Sequence, residues 1–185
     1  MTTLHNENIL IETQRLQLRR VEEGDGELFL HLFCDDGMMH YLGGTWTVEL
    51  AEETLQEWQR EWGKNNYYYG VMVIKESGQI VGIAGFTEDT NPEEPGIEFS
   101  WFVLPEYQKQ GYASEITIAL LEFVFGVLKK DRLFAETHPE NIASNRVLKK
   151  LGFKNAGERK HEYESLPGFE HQVLWEFERT DWENS

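Results

Sequence analysis

A single cysteine, Cys34, stands among the 185 residues, so no disulfide can form within the chain. It lies in FLHLFCDD, an apolar helical pattern in which a thiol packs rather than reacts. Basic residues are also scarce. Lysine and arginine number 17 against 33 acids, a net charge of −16 that disfavours nonspecific attraction to nucleic acid or an anionic membrane. No stretch approaches the roughly 20 apolar residues that a membrane span needs. The opening MTTLHNENILIE lacks the positive and apolar regions of a secretory signal. The six histidines and one cysteine show no spacing suited to a metal ion. These absences predict a soluble, cytoplasmic protein with no metal, no nucleic-acid partner and no membrane partner.

What is present suffices for one substantial core: 40% of residues are hydrophobic and 13% aromatic, which predicts a single domain over 1–185. The charge is unevenly spread. Residues 1–99 carry a net −13, residues 100–160 a net +3 and residues 161–185 a net −6. A chain this acidic with one mildly basic third suits an anion there and a cation elsewhere.

Along the chain, NILIETQRLQLRRV alternates apolar and polar residues and reads as a strand leading into a helix over EEGDGELFLHLFCDD. TVELAEETLQEWQREW is an amphipathic helix with Thr47 as N-cap. YYYGVMVI and IVGIAGF, joined by KESGQ, form a hairpin; TNPEEPG is a loop and GIEFSWFVL a further strand. ASEITIALLEFVFGVLKK is a helix with Ile116, Leu120, Phe123, Val124 and Val127 on one face. RLFAETHP is a strand, and NIASNRVLKKLGF a helix capped by Asn141 with Gly152 just past its end. Two closing strands near 157–165 and 170–178 flank LPGF, which completes a mixed α+β reading.

The joint VLPEYQKQGYASE, residues 103–115, carries the chemistry. A glycine-bearing turn between a strand and a helix leaves backbone N–H groups unpaired at the positive end of the helix dipole, where a phosphate or pyrophosphate is stabilised. Gly111 permits close backbone approach and Ala113 a tight helix start, while Gln108 and Gln110 add no negative charge. The paired GK[ST] of a Walker loop and the glycines of a dinucleotide fingerprint are both missing.

Gln108, Gly111 and Ala113 make Q-x-x-G-x-A, which resembles the acetyl-CoA signature of the GCN5-related N-acetyltransferases. THPENIASNRVLKKLGF resembles the second signature of that family, and IETQRLQLRR the opening strand of its ribosomal-protein N-terminal acetyltransferase-like (RimJ/RimL type) subgroup. The resemblance implies a GNAT-type, mostly antiparallel sheet of six to seven strands with about four helices. Its fourth and fifth strands splay apart to admit the pantetheine arm of acetyl-CoA, the implied cosubstrate.

It further implies direct attack of an amine on the thioester, with no acyl-enzyme. The backbone amides of Gln110, Gly111, Tyr112, Ala113 and Ser114 would hold the pyrophosphate, and those of Phe102 and Val103 would meet the pantetheine and the carbonyl. Lys109, Arg146 and Lys149 are candidates for the nucleotide phosphates, Asn141 for the cofactor arm and Glu98 for the general base or a substrate anchor. Many members place a proton-donating tyrosine where this chain has Leu148; Ser144 is the candidate that remains. The acidic first and last segments favour a cationic acceptor, either a protein N-terminus or a small amine. Met38, Tyr41, Trp46 and the tract Tyr67 to Tyr69 either line its pocket or pack in the core. The alternatives are a noncatalytic acyl-CoA-binding module of the same fold and an unrelated nucleotide-phosphate-binding domain. Monomer and homodimer both stay open.

Overall fold

The computed structural model describes residues 8–64, 68–89, 95–160 and 171–184. Its centre is an eight-stranded sheet ordered β1-β2-β3-β4-β5-β6-β8-β7. The strands are β1 (Ile9–Glu12), β2 (Leu16–Arg19), β3 (Tyr68–Ile74), β4 (Ile80–Asp89), β5 (Gly96–Val103), β6 (Arg132–Thr137), β7 (Lys154–Lys160) and β8 (His171–Glu178). The helices are α1 (Gly26–Phe33), α2 (Asp36–Met39), α3 (Val48–Glu61), α4 (Tyr112–Leu121), α5 (Ile142–Lys150) and α6 (Arg179–Glu183).

The mixed α+β class and the mostly antiparallel sheet are as the sequence predicts, and the strand count is one higher because the opening segment is divided. The Thr13 N–H donates to the Leu16 carbonyl at 2.8 Å, and the Thr13 Oγ1 accepts from the Leu16 N–H at 2.8 Å. That tight turn folds one expected strand into an antiparallel pair, with Ile11 opposite Leu18. Two of the six described α-helices, α2 and α6, are too short for helical periodicity to reveal. The loop TNPEEPG, the turn LPGF and the inner ends of the two closing strands lie largely outside the described residues.

Strand alternation sends side chains to two hydrophobic clusters. On one face Met72 and Phe86 pack with Ile116, Leu120, Phe123 and Val124 of the α4 segment and with Leu148 of α5. On the other, Val71, Val73 and Ile83 pack beneath Phe29 and Phe33 of α1 and Leu55 and Trp58 of α3. Each such fully buried side chain contributes on the order of 1.5–3 kcal/mol.

The helix after the signature does not stay regular. From Glu122 to Val127 it widens into a π-helical turn, in which the Leu128 N–H reaches the Phe123 carbonyl. The wider turn buries Phe123, Val124 and Phe125 in succession and leaves Val127 exposed, where even α-helical spacing placed Val127 on the core face. Among the described residues, no helix is long and apolar enough to cross a membrane.

Candidate cofactor and active site

Strands β5 and β6 run parallel but pair only at Ile97 with Leu133 and Glu98 with Phe134. Past those pairs they part, and a cavity of about 590 Å³ opens between Phe99, Ser100, Trp101, Phe102 and Val103 on one side and Ala135, Glu136, Thr137 and His138 on the other. That is within the range of small-molecule sites. These are the two strands expected to splay, numbered one higher by the division of the opening strand.

The signature loop closes one end of the cavity. After β5 the chain makes a 3-10 turn over Pro105–Tyr107, and the Gln108 Nε2 donates to the Val103 carbonyl at 3.0 Å. The signature glutamine thereby ties the loop to the end of the splayed strand. Gln110 acts likewise, donating from Nε2 to the Glu106 carbonyl at 3.0 Å. Lys109 and Gly111 both take left-handed backbone, with φ of +60° and +86°. Helix α4 then starts at Tyr112 with no side chain capping it. Its first-turn N–H groups therefore face the loop at the positive end of the dipole, which suits a pyrophosphate. Gln108, Lys109, Gly111, Tyr112, Ala113 and Ser114 line the cavity. Gln110 does not line it, and its carbonyl accepts instead from Arg15 Nη1 at 3.0 Å.

Helix α5 forms the opposite wall. Asn141 lines the cavity and caps the helix, its Oδ1 accepting from the Ser144 N–H at 3.2 Å. Ser144 and Arg146 also line the cavity, whereas Lys149 does not; the neighbouring Lys150 takes its place. Helical geometry is the reason, since Lys150 lies four residues after Arg146 and shares its face. Leu148 is fully buried in the core, so no proton donor can stand there without displacing packing.

Glu98 does not line the cavity. It is half-buried on β5, at the last residue pair before the strands part, and shares a sheet face with Ser100. Tyr69 on β3 reaches this face across Gly85 on β4, which stands in register between Tyr69 and Ser100. A Cβ on Gly85 would lie 2.4 Å from the Tyr69 Cα, so only glycine permits the approach. The Ser100 hydroxyl donates to the Tyr69 hydroxyl at 3.4 Å. Burial first, and the Glu98 carboxylate second, push the Tyr69 phenol well above its ordinary range, with Ser100 opposing. Glu98 thus places negative charge on the sheet face that α1 and α3 cover.

Several cavity residues escaped the sequence motifs. Tyr107 lines the cavity from the 3-10 turn, Glu136 from the end of β6 and Met38 and Tyr41 from α2 and the segment after it. His138 lines it too, its ring stacked on Tyr41 with centroids 5.3 Å apart and its Nδ1 accepting from the Glu140 N–H at 3.2 Å. Met38 and Tyr41 were the two legible ones, as candidate pocket residues. Their companion Trp46 stacks on Phe33 at 4.3 Å, and Tyr69 packs on Trp58 at 4.9 Å; Tyr67 lies outside the described residues.

Residues 15–154 match the family model of the acetyltransferase (GNAT) domain. The chain belongs to this family. The acetyltransferase is 34% identical over 151 residues to the uncharacterized N-acetyltransferase YnaD of Bacillus subtilis, a match that covers 80% of this chain and 84% of that protein. Its fold is similar to that of a ribosomal-protein-S5-alanine acetyltransferase from Vibrio fischeri, with a TM-score of 0.70 at 21% identity over 93% of this chain and 97% of that one. It is also similar to the spermidine N-acetyltransferase of Vibrio cholerae solved with CoA and spermine, with a TM-score of 0.75 at 18% identity over 92% and 99%. The protein is therefore an acyltransferase that uses acetyl-CoA, and the uncapped start of α4 above a parted pair of strands fits that cosubstrate.

Proposed function

We propose that this acetyltransferase moves the acetyl group onto a primary amine of a cationic acceptor, by direct attack on acetyl-CoA held between β5 and β6. The observation that carries the reading is the confinement of β5–β6 pairing to two residue pairs beside an uncapped helix start. The N–H groups of Gly111, Tyr112, Ala113 and Ser114 hold the pyrophosphate, with Lys109, Arg146 and Lys150 supplying positive charge at the rim. Phe102 and Val103 offer backbone to the pantetheine and the thioester carbonyl, and Asn141 borders the same arm.

An acceptor ammonium must lose one proton before attack. Glu98, directly or through water, takes it. The amine nitrogen then bonds to the acetyl carbon, the carbon–sulfur bond breaks, and the new amide nitrogen sheds a second proton. Ser144 donates a proton or a hydrogen bond to the departing thiolate, whose modest basicity makes strong assistance unnecessary. The net charges of −13 over residues 1–99 and −6 over residues 161–185 favour a cation on the acceptor side.

Both a protein N-terminus and a polyamine satisfy that requirement. A panel of N-terminal peptides, polyamines, aminoglycosides and amino acid derivatives, read by CoA thiol release, tests the proposal. Turnover confined to cationic amines supports it. Preferential turnover of neutral or anionic amines overturns the acceptor class, and failure to bind acetyl-CoA overturns the cofactor site.

A further inference from the structure

Asn145 on α5 has every hydrogen-bonding position of its side-chain amide engaged, and its partners come from three separate elements. Its Oδ1 accepts from the Thr137 hydroxyl at 2.5 Å and from the Trp175 indole N–H at 3.1 Å. Its Nδ2 donates to the Pro139 carbonyl at 3.0 Å and to the His138 carbonyl at 3.3 Å. The triangle closes on itself, because the Trp175 indole N–H also reaches the Thr137 hydroxyl at 3.0 Å. Thr137 and Trp175 are 8% and 7% exposed, so these bonds stand largely out of competition with water.

The consequence lies on the other side of the amide. Thr137 ends β6 and Trp175 lies on the neighbouring β8, so the sheet grips Asn145 through its oxygen. Asn145 in turn grips the loop of residues 138–140 through its nitrogen. That loop carries His138 into the cavity wall and delivers Asn141, whose own N–H donates to the His138 carbonyl at 2.9 Å. Three hydrogen bonds thus converge on one loop, and Asn145 is the joint between it and the sheet.

We infer that Asn145 is a positioning residue for acetyl-CoA: it fixes the 138–141 wall of the cleft without touching the cosubstrate. The inference rests on the cofactor reading above. A carboxylate at this position keeps both bonds to the sheet, since those need only an acceptor, but it cannot donate and repels the two loop carbonyls. Asn145→Asp therefore separates holding the loop from docking the helix, whereas Asn145→Leu removes both.

The test is a titration of CoA into wild type, Asn145→Asp and Asn145→Leu, with KM values for acetyl-CoA and for the acceptor, and the Trp175 indole N–H followed in ¹H–¹⁵N spectra. The expected result is about tenfold weaker CoA binding in both variants. The acceptor KM stays within about twofold of wild type. The Trp175 resonance stays in place in Asn145→Asp and moves in Asn145→Leu. CoA affinity within twofold of wild type in Asn145→Asp, with the Trp175 resonance in place, overturns the positioning role and leaves helix docking as the function of the residue. Wild type that fails to bind CoA overturns the cofactor reading itself.

Discussion

Arg15 Nε lies 2.6 Å from Glu115 Oε2, joining the turn between the first two strands to the first turn of α4 across a hundred residues of sequence. Around that pair, the Thr13 hydroxyl donates to Glu115 Oε1 at 2.5 Å and the Arg15 backbone N–H does so at 2.8 Å. The Arg15 guanidinium also lies over the Tyr112 ring at 4.5 Å and donates to the Gln110 carbonyl. The signature loop is thus clamped from outside, by Arg15, Thr13 and Glu115, which do not line the cavity.

Burial alone would push the Glu115 carboxyl up; the Thr13 hydroxyl, the Arg15 N–H and the guanidinium together outweigh it and hold the carboxyl below its ordinary range. A carboxyl lowered in the folded state stabilises fully above its unfolded value, and that contribution is lost as pH falls through the lowered folded value. Glu115→Gln should therefore lower Tm at neutral pH, with the gap to wild type closing below about pH 4. Thermal melts across that range check it. The same variant should weaken CoA about fivefold by loosening the loop.

Gly111→Ala should cost about 1–2 kcal/mol, because an L side chain is strained at φ +86°. The added Cβ would also stand 3.4 Å from Arg15 Nη2, within the clamp. CoA affinity should fall about tenfold, measured by direct titration. Affinity equal to wild type would remove Gly111 from the anion cradle.

Glu98→Gln should lower kcat about a hundredfold while leaving CoA affinity unchanged. A kcat equal to wild type at every pH would eliminate Glu98 as the base.

Tyr69→Phe tests the environment of that carboxylate from the other side. The folded chain resists ionisation of Tyr69, so wild type should lose stability as pH rises past about 10, where the phenol of the unfolded chain ionises. The substitution should abolish that part of the alkaline loss. Urea midpoints for the two proteins on either side of that pH decide it.

Leu148→Tyr places the family's usual phenol at a position that is fully buried among apolar side chains. It should destabilise by about 1–3 kcal/mol through overpacking and leave kcat no higher. A raised kcat with unchanged Tm would show that the phenol can reach the cleft.

Features set by nearby residues were readable directly. Thr47 caps α3 and Asn141 caps α5, with side-chain oxygens accepting from Leu50 and Ser144 N–H groups as the residue types imply. The signature loop was legible for the same reason: its glycine, its missing cap and its neighbouring helix all lie within a few turns of chain. The turn at Thr13 carries no local mark, because strand alternation continues on both sides of it. Even helical spacing puts Val127 on the core face, and the structure exposes it through a π-helical turn, which leaves no separate mark in an apolar run.

By itself, then, the sequence determined the class of the fold, the GNAT family and the glycine-bearing joint that opens α4, since each is written in spacings of a few residues. Tertiary structure alone decided that β5 and β6 pair at only two positions, that Arg15 reaches Glu115, that Lys150 rather than Lys149 borders the cleft, and that Asn145 joins Thr137 and Trp175 to the loop before α5. The physical reason is range. Helix and strand periods are fixed by neighbours along the chain, whereas these contacts exist only once the sheet order has brought distant strands and helices side by side.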